Sequence, residues 1–388
     1  MNKVIHFFKL IILYGSKIIP KNKSRYIYGS WFGQKFSDNS AYMYISNINN
    51  PKYKRIQHVW ITKNKEVYKK MVMNDLKCYM AYSFKGIFYQ ITASKVFVST
   101  GTNDVLDSLI GGAQVINLWH GVPLKKIMYD VNKQTLGERL RSRATYNYVL
   151  STSSKMRNNY MSAFNLPKRQ CIISQQPRTD IFFITDNTFD IFKKIPKALE
   201  IRIKNKKIVL YAPTHRSEGK VFLDIENKID LNLLNQELEI RDTILLIKKH
   251  FYHRNEKIES TYNNIFDITD IDVDVQQLLS MSHILITDYS SIFIDYLLLD
   301  RPIIFFSYDI EDYLREERLM YFNYENVASF NRVYDGEELT AMILNTLDGI
   351  KYHEWHPSEA QINLKNLFFE YPSSLGCNHI MRTIGECE

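Results

Sequence analysis

Cysteine is scarce, with four in 388 residues (Cys78, Cys171, Cys377 and Cys387), scattered and without a CxxC pair. That pattern excludes a disulfide scaffold, gives no sign of a zinc site, and fits a reducing, cytoplasmic setting. No apolar run approaches the roughly 20 residues needed to span a bilayer. The chain also lacks GxGxxG after a strand, GxxxxGK[ST], GxSxG and HExxH. These absences argue against dehydrogenases, P-loop NTPases, nucleophile-elbow hydrolases and zinc proteases. No DxD closes a strand as a metal–nucleotide site: Asp272 and Asp274 of IDVDV precede a helix-like run and read as N-cap acids. No arginine-rich tract or RNA-binding aromatic motif points to nucleic acid.

What is present is an ordinary globular composition, 45% hydrophobic and 24% charged, which excludes a disordered or collagen-like chain. The 50 Lys and Arg against 42 Asp and Glu leave a net +8, which suggests an anionic partner without naming it. The length favours two domains. Strand-like runs alternate with helix-like ones: YIYGSWF (26–32), HVWIT (58–62), KVFVST (95–100), QVINLWH (114–120) and YNYVLST (146–152). The alternation lapses over 184–205, which is polar and contains Pro196, then restarts with KKIVLYAPT (206–214), TILLIKKH (243–250), HILITD (283–288) and PIIFFSYD (302–309). This predicts an α/β protein built from βα units around parallel sheets. The expected domains are 25–185 and 206–388, joined by a linker at 186–205, with the last helix a candidate to cross back. Chemistry is expected at the carboxyl ends of the strands.

Residues 1–24 form a separate segment. VIHFFKLIILY (4–14) places Val4, Phe7, Phe8, Ile11 and Ile12 on one helical face, blurred by Leu10 and Leu13, and Lys3, Lys9, Lys17, Lys21 and Lys23 flank it. Such a helix either lies in a membrane interface or packs on the domain core.

Five segments carry candidate chemistry. ITDYSS (286–291) ends a strand at Asp288 and opens a helix near Ser290 and Ser291, where unpaired N–H groups favour phosphate. An ordinary serine cap is the simpler alternative. NLWHGVPLKK (117–126) delivers His120 to a turn followed by Lys125 and Lys126, a candidate general base beside candidate phosphate ligands. YAPTHR (211–216) offers Thr214 and Arg216 for phosphate oxygens. LIKKHFYHR (246–254) brings His250 to a strand end behind Lys248 and Lys249, and QQPRTD (175–180) places Arg178 in a turn. Each basic group alone reads equally as a solvated face.

Taken together, WHGVPLKK, QPRTD, YAPTHR, the KKH strand end and the block from LLSMSHILITDYSS to RPIIFFSYDIEDY resemble the CDP-glycerol glycerophosphotransferases, the family of teichoic acid primases, polymerases and related capsule enzymes. The resemblance runs from about Gly33 to the C-terminal segment. It implies a GT-B-like architecture, two Rossmann-like domains facing a central cleft, with the nucleotide held mainly by the second. It implies transfer of a polyol phosphate, glycerol phosphate first, from a CDP-polyol to a hydroxyl of a polyprenyl-diphosphate-linked or growing acceptor, with release of CMP. The place would be the cytoplasmic face of the membrane, reached peripherally. No cofactor beyond the CDP-glycerol donor is implied, and a divalent metal requirement stays open.

In that reading His120 takes the acceptor proton, and His250 stabilises the donor pyrophosphate or the leaving CMP. Thr214, Arg216, Asp288, Ser290, Ser291 and Arg318 serve the donor, with Asp288 either a ligand or the group that positions its turn. Lys125, Lys126 and Arg178 meet the acceptor. Positioning and charge stabilisation are what phosphoryl transfer asks of a protein. The chain departs from the family pattern at Gln175, where Gly is usual, at Phe251 after His250, at His215, at Leu319 after Arg318, and in VASFNR (327–332). These changes leave the reaction class and open the polyol to glycerol, ribitol or another group. Two alternatives remain, a GT-B glycosyltransferase using a nucleotide sugar and a non-catalytic polyanion-binding protein.

Overall fold

The computed structural model describes residues 3–131, 145–214, 225–249, 262–316 and 319–385. The chain forms two compact units. The first comprises residues 1–122, 128–189 and 369–388; the second comprises 123–127 and 190–368.

The first unit is built on seven strands: β1 (Asn22–Gly29), β2 (Gln57–Thr62), β3 (Cys78–Met80), β4 (Ala93–Val98), β5 (Gln114–Asn117), β6 (Tyr148–Ser151) and β7 (Cys171–Ile173). They form one sheet in the order β3-β2-β1-β4-β5-β6-β7, every pair parallel. The second unit has β8 (Lys207–Tyr211), β9 (Thr243–Ile247), β10 (Ile265–Asp267), β11 (Ile284–Thr287), β12 (Ile303–Phe306) and β13 (Arg332–Val333). Their order is β10-β9-β8-β11-β12-β13, again all parallel. Counted from its own first strand, each sheet therefore runs 3-2-1-4-5-6, the doubly wound order, and the first adds a seventh strand at its edge. Ligands in such sheets bind outside the carboxyl ends, where the order reverses between first and fourth strands.

Strands buried on both faces need continuous apolar runs rather than alternation. Tyr26, Ile27 and Tyr28 of β1 are all buried, and Tyr28 stacks on Phe97 of β4 with ring centres 4.9 Å apart. In the second sheet Val209, Leu245, Ile286 and Ile304 join one core with Leu339 and Ile343 of the helix Gly336–Lys351. The expected α/β architecture with two parallel sheets is what the chain adopts. A serine caps the helix after β6: Ser153 accepts from Met156 N ahead of Ser154–Phe164. Asp274 likewise caps Val275–Met281.

The N-terminal segment is helical over Lys3–Ile18. Ser16 Oγ accepts from Gly111 N at 2.9 Å, which docks one face on the loop after β4. Phe8, Ile11, Ile12, Tyr14 and Ile18 stay exposed.

The helix Gly376–Thr383 completes the first unit. Asp180, buried at the end of the PRTD turn, accepts from Gly376 N at 2.6 Å and Cys377 N at 3.0 Å, tying that helix's first turn to a residue 196 positions earlier. Burial pushes the Asp180 carboxyl up to about 7, against the pull of those two N–H donors. A carboxyl that binds its proton more tightly folded than unfolded costs stability as pH rises. The unfolded value is 3.8, so this loss runs from about pH 4 to about pH 7 and then levels. Asp180→Ala is expected to lower stability by about 2–4 kcal/mol, since two buried N–H groups lose their acceptor. It should also abolish that part of the pH dependence. Urea unfolding between pH 4 and 8 checks both.

Candidate active site

In the first unit β5 ends at Asn117, and its side chain accepts from Trp119 N at 2.9 Å, turning the chain sharply. Trp119 takes φ +55° and Gly121 φ +130° on either side of His120. The imidazole Nδ1 lies 3.2 Å from Ser99 O, the first carbonyl after β4. A carbonyl only accepts, so in the neutral ring the proton sits on Nδ1 and the lone pair on Nε2. Trp119 packs against the imidazole at 4.2 Å between ring centres, and Trp31 at 5.8 Å.

Ser99 is itself held. Buried Asp104 accepts from Ser99 N at 2.9 Å and Thr100 N at 2.8 Å through Oδ2, and from Phe32 N at 2.7 Å through Oδ1. Phe32 follows β1 and Ser99 follows β4, so one carboxylate joins the loops on both sides of the switch point. Ser40 N also donates to Ser99 Oγ at 2.9 Å.

Arg178 is brought to the same loop. Its Nη1 donates to His120 O at 3.0 Å and to Asp38 Oδ1 at 3.1 Å, both side chains largely shielded from solvent. Asn39 completes the brace: it donates to Trp119 O at 2.9 Å and accepts from Arg178 N at 3.1 Å. The structure thus brings His120 and Arg178 together, with Arg178 holding the loop that carries His120. Asp38, Asn39, Ser99 and Asp104 went unread in the sequence. Ser-Asp-Asn-Ser ahead of a helix reads as capping, and only the fold reveals what those side chains reach.

Lys125 and Lys126 leave the first unit. Lys125 forms an antiparallel bridge with Met320, Lys126 N donates to Leu319 O at 2.8 Å, and Tyr321 N donates to Leu124 O at 2.8 Å. The Lys125 ammonium sits 4.9 Å from the centre of the Tyr313 ring.

In the second unit the DYSS and YAPT segments meet at the switch point between β8 and β11. Asp288 is buried and accepts from Thr214 N at 2.8 Å, from the Thr214 hydroxyl and from Tyr289 N at 2.7 Å. It positions the turn, one of the two roles expected for it. Tyr324 donates to Asp288 O at 3.0 Å and contacts Ser307 Oγ. Tyr289 stacks on Tyr313 at 3.8 Å and donates to Asp309 Oδ1 at 2.9 Å. Burial, then the Asp309 carboxylate, raises the Tyr289 phenol, so it stays a neutral donor. Ser290 Oγ accepts from Ile292 N at 3.3 Å, while Ser291 occupies the N-cap with no side-chain cap bond. The helix here is shorter than the run 290–299 suggests: an α-turn over Ile292–Tyr296, then a 3-10 turn over Leu297–Leu299.

Lys248 and Lys249, ahead of His250, are committed within the fold. Lys248 Nζ donates to the carbonyls of Ile268, Thr269 and Ile271 at 2.7–3.2 Å. Lys249 is fully enclosed and pairs with Asp267 at 3.6 Å. Arg216, His250 and Arg318 lie outside the described residues. Among the described residues no group of three or more His, Cys, Asp or Glu side chains is arranged to hold a metal ion.

A profile of the CDP-glycerol:poly(glycerophosphate) glycerophosphotransferases matches residues 13–386. The chain belongs to this family. It is a transferase of the teichoic acid class. A teichoic acid poly(glycerol phosphate) polymerase of Bacillus spizizenii is 31% identical over 331 residues, covering 80% of each chain. A poly(ribitol-phosphate) polymerase of the same organism is 34% identical over 218 residues, 55% of this chain and 35% of that one. The chain therefore spans most of the first relative and about a third of the second. Among solved structures, the wall teichoic acid polymerase TagF superimposes with TM-score 0.75 at 22% identity, covering 100% of this chain and 98% of that one. A UDP-GlcNAc 2-epimerase from Neisseria meningitidis shares the GT-B-like fold more distantly, with TM-score 0.52, 14% identity, and coverage of 94% and 99%.

Gly121 tests the His120 loop. A Cβ there would lie 2.8 Å from Arg178 Nη2, at a φ that L-residues avoid. Gly121→Ala is expected to cost about 1–3 kcal/mol and to lower transferase turnover more than tenfold by displacing His120. Thermal unfolding and steady-state rates of the variant check this.

Proposed function

We propose that the protein transfers glycerol phosphate from CDP-glycerol to a terminal hydroxyl of a lipid-linked or growing teichoic acid chain, releasing CMP. The observation that carries the mechanism is the Nδ1 contact of His120 with Ser99 O, which leaves Nε2 basic. In the step, the acceptor O–H gives its proton to His120 Nε2 as its oxygen bonds to the phosphorus bearing the polyol. The bond from that phosphorus to the CMP oxygen breaks, and CMP leaves with the electron pair. Arg178, Asp38 and Asn39 hold the base in place rather than touching the acceptor. Ser290 and Ser291 present donors for the donor's phosphates, whereas Thr214, expected among those ligands, gives its N–H and hydroxyl to Asp288 and so helps to fix the turn. His250, Arg216 and Arg318 keep the roles that the resemblance implies, stabilising charge on the pyrophosphate, and Lys125 and Lys126 those of acceptor ligands.

Relatives of both polyol types match at similar identity, so glycerol is the proposed donor group and ribitol its direct competitor. Purified protein with CDP-glycerol and a lipid-linked acceptor should release CMP; silence with every CDP-polyol, or turnover with UDP-sugars instead, overturns the reading. His120→Ala should lower the rate about 10²–10⁴-fold while CDP-glycerol affinity stays within a few-fold. Near-normal turnover would exclude His120 as the base.

We also place the protein at the cytoplasmic face of the membrane, bound peripherally. Among the described residues no helix is long and apolar enough to cross a bilayer. The helix Lys3–Ile18 exposes apolar side chains, and beside it Phe84 is 95% and Tyr82 70% exposed. Ile12 and Lys9 share a cavity wall with Tyr82 and Ile87, so both elements present one face. Apolar groups ringed by lysines suit an anionic interface. Removing residues 1–20 and substituting Phe84→Ser and Phe88→Ser should each reduce sedimentation with anionic liposomes. Unchanged binding by both forms rules out this face.

A further inference from the structure

The edge strand β7 of the first sheet runs beside a cavity of about 430 Å³. Cavities of about 300–1,000 Å³ accept small ligands. Lys168 and Arg169, from the turn ahead of β7, line it with Arg157 of the helix Ser154–Phe164, His379 of the helix Gly376–Thr383, and Tyr371. Because Lys168 and Arg169 precede their strand, they lie at the amino ends of the parallel sheet. No residue of the His120 loop lines it, so this cavity is separate from the candidate active site.

Its charge is unbalanced. Among the described residues no carboxylate lies within ion-pairing distance of Arg157, Lys168 or Arg169. The Arg157 Nε is closed off from solvent and has no hydrogen-bond partner. The acid on the wall, Glu370, is already engaged: it accepts from Ser154 N at 2.8 Å and Ser154 Oγ at 2.6 Å, and this holds its carboxyl below the usual range. Three cations against one committed acid describe an anion site. Guanidinium forks match phosphate oxygens, and a lysine adds a point charge. Tyr371 packs edge-on to His379 at 5.3 Å between ring centres and offers an apolar wall to carbon atoms.

We propose that this cavity binds phosphodiester groups of the polyol-phosphate chain, away from its reacting end. The inference rests on the functional reading above, in which that chain is the acceptor. Lipid headgroups and free phosphate share the chemistry. The exposed apolar side chains that a lipid surface requires lie instead on the helices Lys3–Ile18 and Phe84–Thr92. Free phosphate would leave much of the volume unfilled.

The test is calorimetric titration of the full chain with a synthetic glycerol phosphate hexamer, without donor. Lys168→Gln/Arg169→Gln changes two exposed side chains and is expected to weaken hexamer binding about tenfold. Arg157→Gln should weaken it similarly, with each variant's unfolding temperature unchanged. The charge-matched control Lys54→Gln/Arg55→Gln, at exposed positions far along the chain, should bind as wild type does. Equal affinity in the double variant overturns the proposal. So does inorganic phosphate competing as well as the hexamer at equal phosphorus concentration, or a loss confined to anionic vesicles. CMP release by wild type is measured alongside. Release without any change in hexamer affinity removes the cavity alone, whereas no release from any CDP-polyol removes the functional reading as well.

Discussion

Asp104 and Asp288 do the same job in the two units. Each is a buried carboxylate whose oxygens collect backbone N–H groups from loops that leave neighbouring parallel strands. Parallel strands end with their loops pointing into the same space, and at the switch point those loops diverge to opposite faces of the sheet. Something must hold the first residues of both loops together, or the backbone groups there would be left buried and unpaired. A carboxylate accepts several N–H bonds at once and so serves as the node. Around Asp104 this fixes Ser99, and Ser99 fixes the imidazole of His120. Around Asp288 it fixes Thr214 and the start of the DYSS turn. The site residues inherit their placement from these two anions.

Basic residues that close strands are likewise held within the fold. Lys249 answers Asp267 inside the second unit, Lys248 closes three backbone carbonyls, and Arg178 spends its fork on Asp38 and His120. Basic residues at strand ends serve first as structural donors where loops leave carbonyls unpaired. Lys168 and Arg169, ahead of β7, are among the described cations that stay exposed.

The long strands were legible because a parallel sheet covered on both faces writes its strands as unbroken apolar runs: YIY in β1, IVLY in β8 and ILIT in β11 need no partner to be recognised. Strands β3, β10 and β13 were not, since two or three residues carry no period. His120 and Asp288 stood out because each closes such a run. The residues that orient them did not. Asn39 and Arg178 are 139 positions apart, and Asp104 reaches Phe32 across 72. A spacing of that kind exists only once the strand order is known. The same holds for the lysines, whose partners lie on strands and loops that sequence proximity does not reveal.

The tie between Asp180 and the helix Gly376–Thr383 has a consequence for the order in which the molecule is made. Domains of a nascent chain ordinarily fold from the amino end as they emerge. Here the residues that finish the first unit emerge only after every residue of the second. The first sheet can assemble early, but Asp180 then sits without its donors until the second unit has been made. The second unit can be complete while the first is still waiting. A ribosome that stalls near residue 370 therefore leaves a finished second unit and an open first.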